Sequence, residues 1–330
     1  MTAAIESALV ERFAGSFACA PTAEAPLAIA VSGGPDSMAL LALAAQAWPD
    51  AVIAATVDHR LRASAAEECA MVARVCVELG VPHTTLVAEV PPAGASLQAQ
   101  ARTLRYRLLI DWAAAARATA LATAHQADDQ AETFLMRATR GAGLSGLAGV
   151  RASRRIEGVG LLLVRPLLDW RRAELRAIVR RTGLPFVDDP ANDDPRHDRT
   201  RFRRLLNEHE WLDTPHIAQA AGHLAEADTE LRAIADWLWE ARRVAGRGDG
   251  VRLDMAGLPR GLKRRLAQRA IGAMREAAGI ERPDWSPETN VEPLLDALDR
   301  GKAATQAGVM VRPVGEVWRF IVAPSRRARS

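Results

Sequence analysis

Cysteine is scarce in this chain. Three of its 330 residues are cysteines (Cys19, Cys69 and Cys76), an odd number with no C-x-x-C pair. That excludes a disulfide framework and gives no zinc or iron–sulfur ligand pattern. Lysine is scarcer still: Lys263 and Lys302 are the only two. The first two hundred residues therefore hold no Schiff-base or catalytic lysine. The positive charge is nearly all arginine, so a phosphate contact here would be a planar, bidentate guanidinium contact. Net charge is only +3, so any basic surface is local. Tyr106 is the one tyrosine. No apolar run approaches the ~20 residues that span a bilayer. The opening stretch, residues 1–26, carries Glu6, Glu11 and Arg12 among alanines. It lacks the basic start and unbroken apolar centre of a signal peptide and reads as a short helix leading into a strand. These absences point to the cytoplasm and to no membrane partner.

What is present begins with length and apolar content. The chain is long enough for two domains, and 49% of it is hydrophobic, enough for a large core. Leu27 to Val31 is a short apolar run that reads as a buried strand. It stops at Ser32-Gly33-Gly34, and an apolar helical pattern follows from Met38 to Trp48. Strand, glycine turn and helix together present free backbone N–H groups to an anion. Gly33 and Gly34 let a phosphate approach without a Cβ in the way, and Ser32 and Ser37 offer hydroxyls. Asp36 sits badly beside a phosphate unless it holds Mg²⁺ or caps the helix. The Walker pattern is absent, because no lysine precedes Ser37.

The polar residues that follow fall where strands end, which is where open α/β sheets bind ligands. The run Ala51–Val57 ends in Asp58-His59-Arg60, placed for a nucleotide base or ribose, or for water. Ser64–Leu79 reads as a helix with a Ser64/Glu67 capping box, and residues 83–90 as an extended segment. Ser96–Thr119 reads as a long helix with Arg102, Arg105 and Tyr106 on one face: either a solvated charged face or an arginine pair turned to phosphate. Leu121–Ala124 is a short strand running into His125-Gln126-Ala127-Asp128-Asp129-Gln130-Ala131-Glu132. Asp128 and Asp129 suit a helix N-terminus electrostatically. With His125 and Glu132 they also suit a divalent cation or an ammonium. Four glycines then fall within the nine residues 141–149, which marks a mobile or closely approached loop.

Ser32-Gly33-Gly34-Pro35-Asp36-Ser37 resembles the pyrophosphate loop of the N-type ATP pyrophosphatases, which cleave ATP between the α and β phosphates and adenylate a substrate oxygen. Residues 125–147 resemble a second signature, that of the bacterial tRNA(Ile)-lysidine synthetases. Residues 57–62 and 101–106 resemble two more of that family's blocks. The tRNA thiolases of the same group carry paired cysteines, which this chain lacks. The resemblance implies ATP and Mg²⁺ as cofactors, free L-lysine and a CAU-anticodon tRNA(Ile) as partners, and adenylation of the wobble cytidine before lysine displaces AMP. It leaves room for a homodimer. It implies catalytic roles for Asp36, Asp129, Glu132 and Arg105, and nucleotide contacts from Ser32, Gly33, Gly34, Pro35, Asp36, Ser37, Asp58, His59, Arg102 and His125, with Asp36 on the metal.

Further on, residues 151–165 read as a hairpin turning at 158–160, and residues 171–182 as a helix closed by Gly183. An acidic loop, residues 188–194, precedes Arg196, Arg199, Arg201, Arg203 and Arg204. These charges either balance one another or contact RNA phosphate. This block too resembles the family, departing at Thr200 and Asn207, where asparagine and proline are usual. Beyond residue 208 the pattern changes to helices over 217–244, 262–278 and 291–300, a hairpin over 309–322 and a basic tail. The fold expected is α/β: a mainly parallel sheet with flanking helices, of the adenine nucleotide alpha hydrolase type, over residues 1–208. A smaller, mostly helical, tRNA-contacting domain over 209–330 completes it. The alternatives are another amidating or thiolating enzyme of the pyrophosphate-loop group, or a non-catalytic nucleotide sensor.

Overall fold

The structure is a computed structural model that describes residues 3–60, 65–89, 97–188, 198–246, 249–286 and 289–324. The chain divides into two compact units, Met1–Ala225 and Glu226–Ser330. The division falls inside the helix Thr214–Ala241 and not near residue 208.

The first unit is built on six strands: β1 (Leu27–Ala30), β2 (Val52–Asp58), β3 (His83–Val87), β4 (Ala120–Ala122), β5 (Ser153–Arg155) and β6 (Leu162–Val164), in the order β3-β2-β1-β4-β6-β5. All neighbours are parallel except the edge pair β5–β6. Strand alternation sorts the core into two layers. Leu27, Ile29 and Val31 face one side with α2 (Pro35–Ala47), α3 (Ala65–Glu78) and α7 (Arg172–Thr182). Ala28, Ala55, Leu121 and Leu163 face the other, where Leu109 and Ala113 of α4 (Leu97–Ala115) cover them. α2 buries every residue from Ser37 to Ala44, so it is apolar all round, as a helix inside a layered core should be. The chain winds β1-β2-β3 in one direction and then crosses to β4 on the far side of β1. The carboxyl ends of β1 and β4 therefore flank the switch point at which such sheets bind ligands.

α5 (Ala127–Ala138) follows β4, the single turn α6 (Leu144–Leu147) follows α5, and α8 (Asp198–Glu208) packs on α5. The glycine-rich stretch after α5 is clamped. Arg137 donates to the carbonyls of Gly146 at 2.8 Å and Gly149 at 3.2 Å, and a Cβ on Gly149 would lie 2.4 Å from the Gln130 side chain. Close approach accounts for Gly149 and for Gly146, whose Cβ would lie 2.8 Å from that of Ala142, while Gly141 takes φ +70°. The Ser64/Glu67 capping box, most of the acidic loop and the basic tail lie outside the described residues.

Beside its helices the second unit holds a sheet larger than the expected hairpin. β7 (Val251–Asp254), β8 (Ala304–Gln306), β9 (Val309–Val314) and β10 (Val317–Val322) form an antiparallel sheet in the order β7-β10-β9-β8. The expected hairpin is its centre, β9–β10. Its two outer strands are three and four residues long, and runs this short carry no alternation that sequence can display. α10 (Arg260–Ala277) and α11 (Glu292–Asp299) pack on this sheet through Leu266, Ile271, Leu295 and Phe320. α9 (Thr214–Ala241) runs from the first unit into the second.

Candidate active site

The glycine turn is shaped by its own backbone. Gly33 has φ +82°, a region that a side chain resists. Gly34 is the N-cap of α2, with Pro35 in the first turn, where its missing N–H costs nothing. Ser37 spends its hydroxyl internally. Ser37 Oγ accepts from Ser32 N at 3.1 Å and donates to the Gly34 carbonyl at 2.9 Å, while Ser32 Oγ lies 3.1 Å from Ser37 Oγ. Ser37 is buried and braces the turn, so the hydroxyl pair expected from sequence reduces to Ser32. The Val187 amide holds the Gly33 carbonyl at 2.9 Å and draws residues 186–188 beside the loop.

Asp36 does not cap its helix. Its Oδ1 is buried with no hydrogen-bond partner. Burial pushes its carboxyl up to about 6, and Asp129 adds to the rise, while Arg172 opposes it. An orphaned carboxylate oxygen beside a second carboxylate suits a divalent cation. Among the described residues no cluster of three His, Cys, Asp or Glu forms a complete cage, so the remaining ligands would be phosphate oxygens and water.

The acidic block is tied down by residues from far along the chain. Gln126, the N-cap of α5, accepts from the amides of Asp128 and Asp129, and Asp129 Oδ2 accepts from Gln126 N at 3.3 Å. Asp128 takes the Arg172 amide at 2.9 Å and pairs with Arg171 at 3.2 Å. Glu132 is wholly buried and enclosed by three guanidiniums: Arg203 at 2.9 Å, Arg172 at 3.1 Å and Arg199 at 3.3 Å. Asp129 Oδ1 lies 3.6 Å from Arg172. Glu132 therefore presents no open face to an ammonium. It joins α5 to α7 and α8. Arg199 and Arg203, four residues apart, share the inward face of α8, and Arg201 and Arg204 are exposed. The arginine segment is thus divided between an internal counter-charge and a surface.

A second set of cationic groups collects at the strand ends. Arg102 and Arg105 lie over the Tyr106 ring at 5.1 and 6.0 Å. His59 Nδ1 is buried without a partner, and burial and Arg105 lower its affinity for a proton. Asp58 spends one oxygen on the Arg60 amide at 2.8 Å. His125, with Thr123 Oγ1 3.0 Å from Nδ1, is held down to about 3, first by burial and then by Arg165, Arg102, Arg199 and Arg105. It is a neutral imidazole at physiological pH. Arg165, Arg171, Arg172 and Gln126 are the residues that sequence reasoning missed. Arg165 carried a readable signal, because it directly follows the apolar strand Leu161–Val164.

Comparison with known proteins bears on the fold and the family. Residues 6–210 match the PP-loop domain family. The tRNA(Ile)-lysidine synthase of Zymomonas mobilis is 43% identical over 307 residues, covering 91% of this chain and 89% of the relative. That of Novosphingobium aromaticivorans is 42% identical, with 91% and 90% covered. Among solved structures, the U34-tRNA thiolase NcsA from Methanococcus maripaludis superposes with a TM-score of 0.55 at 16% identity, over 68% of this chain and 79% of that one. That likeness concerns the fold. The glycine turn, the switch-point site and the likeness along nine-tenths of the chain lead to one conclusion: the chain belongs to the tRNA(Ile)-lysidine synthase family of PP-loop enzymes.

Proposed function

We propose that the protein ligates free L-lysine to C2 of the wobble cytidine of a CAU-anticodon tRNA(Ile), using ATP. The cytidine C2 oxygen attacks the α-phosphorus and pyrophosphate leaves. The lysine ε-amine then attacks C2, loses a proton, and AMP departs. The observation that carries this reading is the identity of about two residues in five to tRNA(Ile)-lysidine synthases along nearly the whole length of both chains.

The residues suit these steps. Amides at the start of α2 face the pyrophosphate, with the helix dipole behind them. Asp36 would hold Mg²⁺, which neutralises phosphate charge when bound. Asp58 and His59, at the end of β2, face the nucleoside. Arg105, the arginine beside His59, offers its guanidinium to the α-phosphate as its charge develops. Asp129, beside Asp36, is the carboxylate placed to meet the lysine amine and its proton, and Glu132 holds the arginines around it.

The test is pyrophosphate release with ATP, lysine and the CAU-anticodon tRNA, each omitted in turn, together with incorporation of labelled lysine into the RNA. Lysine incorporation that requires all three substrates is the expected result. Release that needs glutamine or a sulfur donor instead would overturn the reading.

A further inference from the structure

The first unit holds two sets of arginines that differ in kind. Arg171, Arg172, Arg176, Arg199 and Arg203 each pair with a carboxylate. Among the described residues, no carboxylate pairs with Arg102, Arg105 or Arg165. Arg165 leaves the end of β6 and gives Nη1 to the Arg151 carbonyl at 2.6 Å, and its Nε is buried with no partner. Burial and neighbouring positive charge, from Arg154 and Arg102 for Arg165 and from Arg102 for Arg105, work against the charge on both guanidiniums. Tyr106 is the group that favours it. Guanidiniums crowded together without a counter-ion are costly, and an anion removes that cost.

We propose that Arg165, with Arg102 and Tyr106, binds a phosphodiester of the RNA substrate beside the reacting base. This inference rests on the reading of the protein as a tRNA-modifying ligase. Strand order chooses the RNA over ATP. The glycine turn at β1 fixes pyrophosphate, and Asp58 and His59 place the nucleoside toward β2. β6 lies two strands from β1 on the opposite side, beyond β4. At about 4.8 Å per strand, that is roughly 10 Å away from the ATP side. Neutral His125, between them at the end of β4, separates the two anion sites without adding charge.

The test uses the full chain and two variants, Arg165→Gln and Arg102→Gln. Among the described residues Arg102 makes no hydrogen bond, so the second variant covers the case in which the first fails to fold. Binding of the CAU-anticodon tRNA is titrated at several salt concentrations, and ATP binding is measured separately without RNA. The expected result is about tenfold weaker RNA binding, with the slope of log affinity against log salt lower by about one contact, and ATP affinity unchanged. A lost ATP affinity with an unaltered RNA slope would overturn the proposal and assign the pocket to the triphosphate. Unchanged binding of both would reduce Arg165 to a brace for the Arg151 carbonyl. Either outcome, in a wild-type protein that still incorporates lysine, leaves the functional reading standing.

Discussion

Glu132→Gln separates a carboxylate that serves the reaction from one that serves the architecture. The substitution keeps size and shape and removes one charge. In the native protein that charge faces Arg172, Arg199 and Arg203, whose side chains are 19%, 45% and 24% exposed while Glu132 is 0% exposed. Breaking a buried ion pair by removing one partner costs about 3–5 kcal/mol. The guanidiniums here are partly wet, which puts the loss near the lower end, about 3 kcal/mol. For a unit the size of Met1–Ala225, each kcal/mol moves the midpoint by about 2–4 °C, so the transition should fall by about 6–12 °C. α8 is held to α5 through this carboxylate, so amide exchange should accelerate in α8 before it does in β1. The assay is thermal unfolding with exchange read by mass spectrometry, alongside the Michaelis constant for lysine at a temperature where the variant is folded. A variant as stable as wild type, with exchange in α8 unchanged and a raised lysine constant, would refute the argument and return Glu132 to the lysine pocket.

Asp36→Asn should cut pyrophosphate release by at least about a hundredfold, while stabilising the metal-free fold at pH 8. The folded carboxyl, raised from 3.8 to about 6, holds its proton more tightly than the unfolded one. Native stability therefore falls as pH rises from about 4 to about 6, and stays lower above. Asparagine removes that loss, worth up to about 3 kcal/mol, and a Tm unchanged at pH 8 would refute the burial argument. Gly33→Ala places a Cβ at φ +82°, 3.3 Å from the Met71 methyl. It should cost about 1–3 kcal/mol and weaken ATP binding measured by calorimetry. Replacing the exposed Arg201 and Arg204 by alanine should flatten the salt dependence of tRNA binding without changing Tm. Replacing Arg199 and Arg203 should lower Tm, because these two face Glu132.

Much of the site was legible in the chain because its parts are local. The glycine turn, the helix after it and the polar residues at the ends of β2 and β4 all lie within a few residues of an apolar run, and strand geometry delivers them to one edge of the sheet. The shared face of Arg102, Arg105 and Tyr106 follows from helical spacing alone, and the arginine–tyrosine contacts bear it out. Tertiary structure decided which charges meet. Glu132 finds Arg172 and Arg203 at separations of 40 and 71 residues, and no periodicity encodes those partners. A carboxylate-rich helix start therefore reads as one open cation site until arginines of α7 and α8 close the part around Asp128 and Glu132. The same holds for Ser37, whose hydroxyl turns inward to a backbone carbonyl, and for Arg165, whose neighbours come from α4 across the sheet. The second unit repeats the lesson: its central hairpin shows in sequence, while β7 and β8 become strands by pairing with β10 and β9. Local propensity sets the elements and the ends of strands. The balance of buried charge, on which the roles of Asp36, Glu132 and Arg165 depend, is set by contacts that form only when distant segments pack.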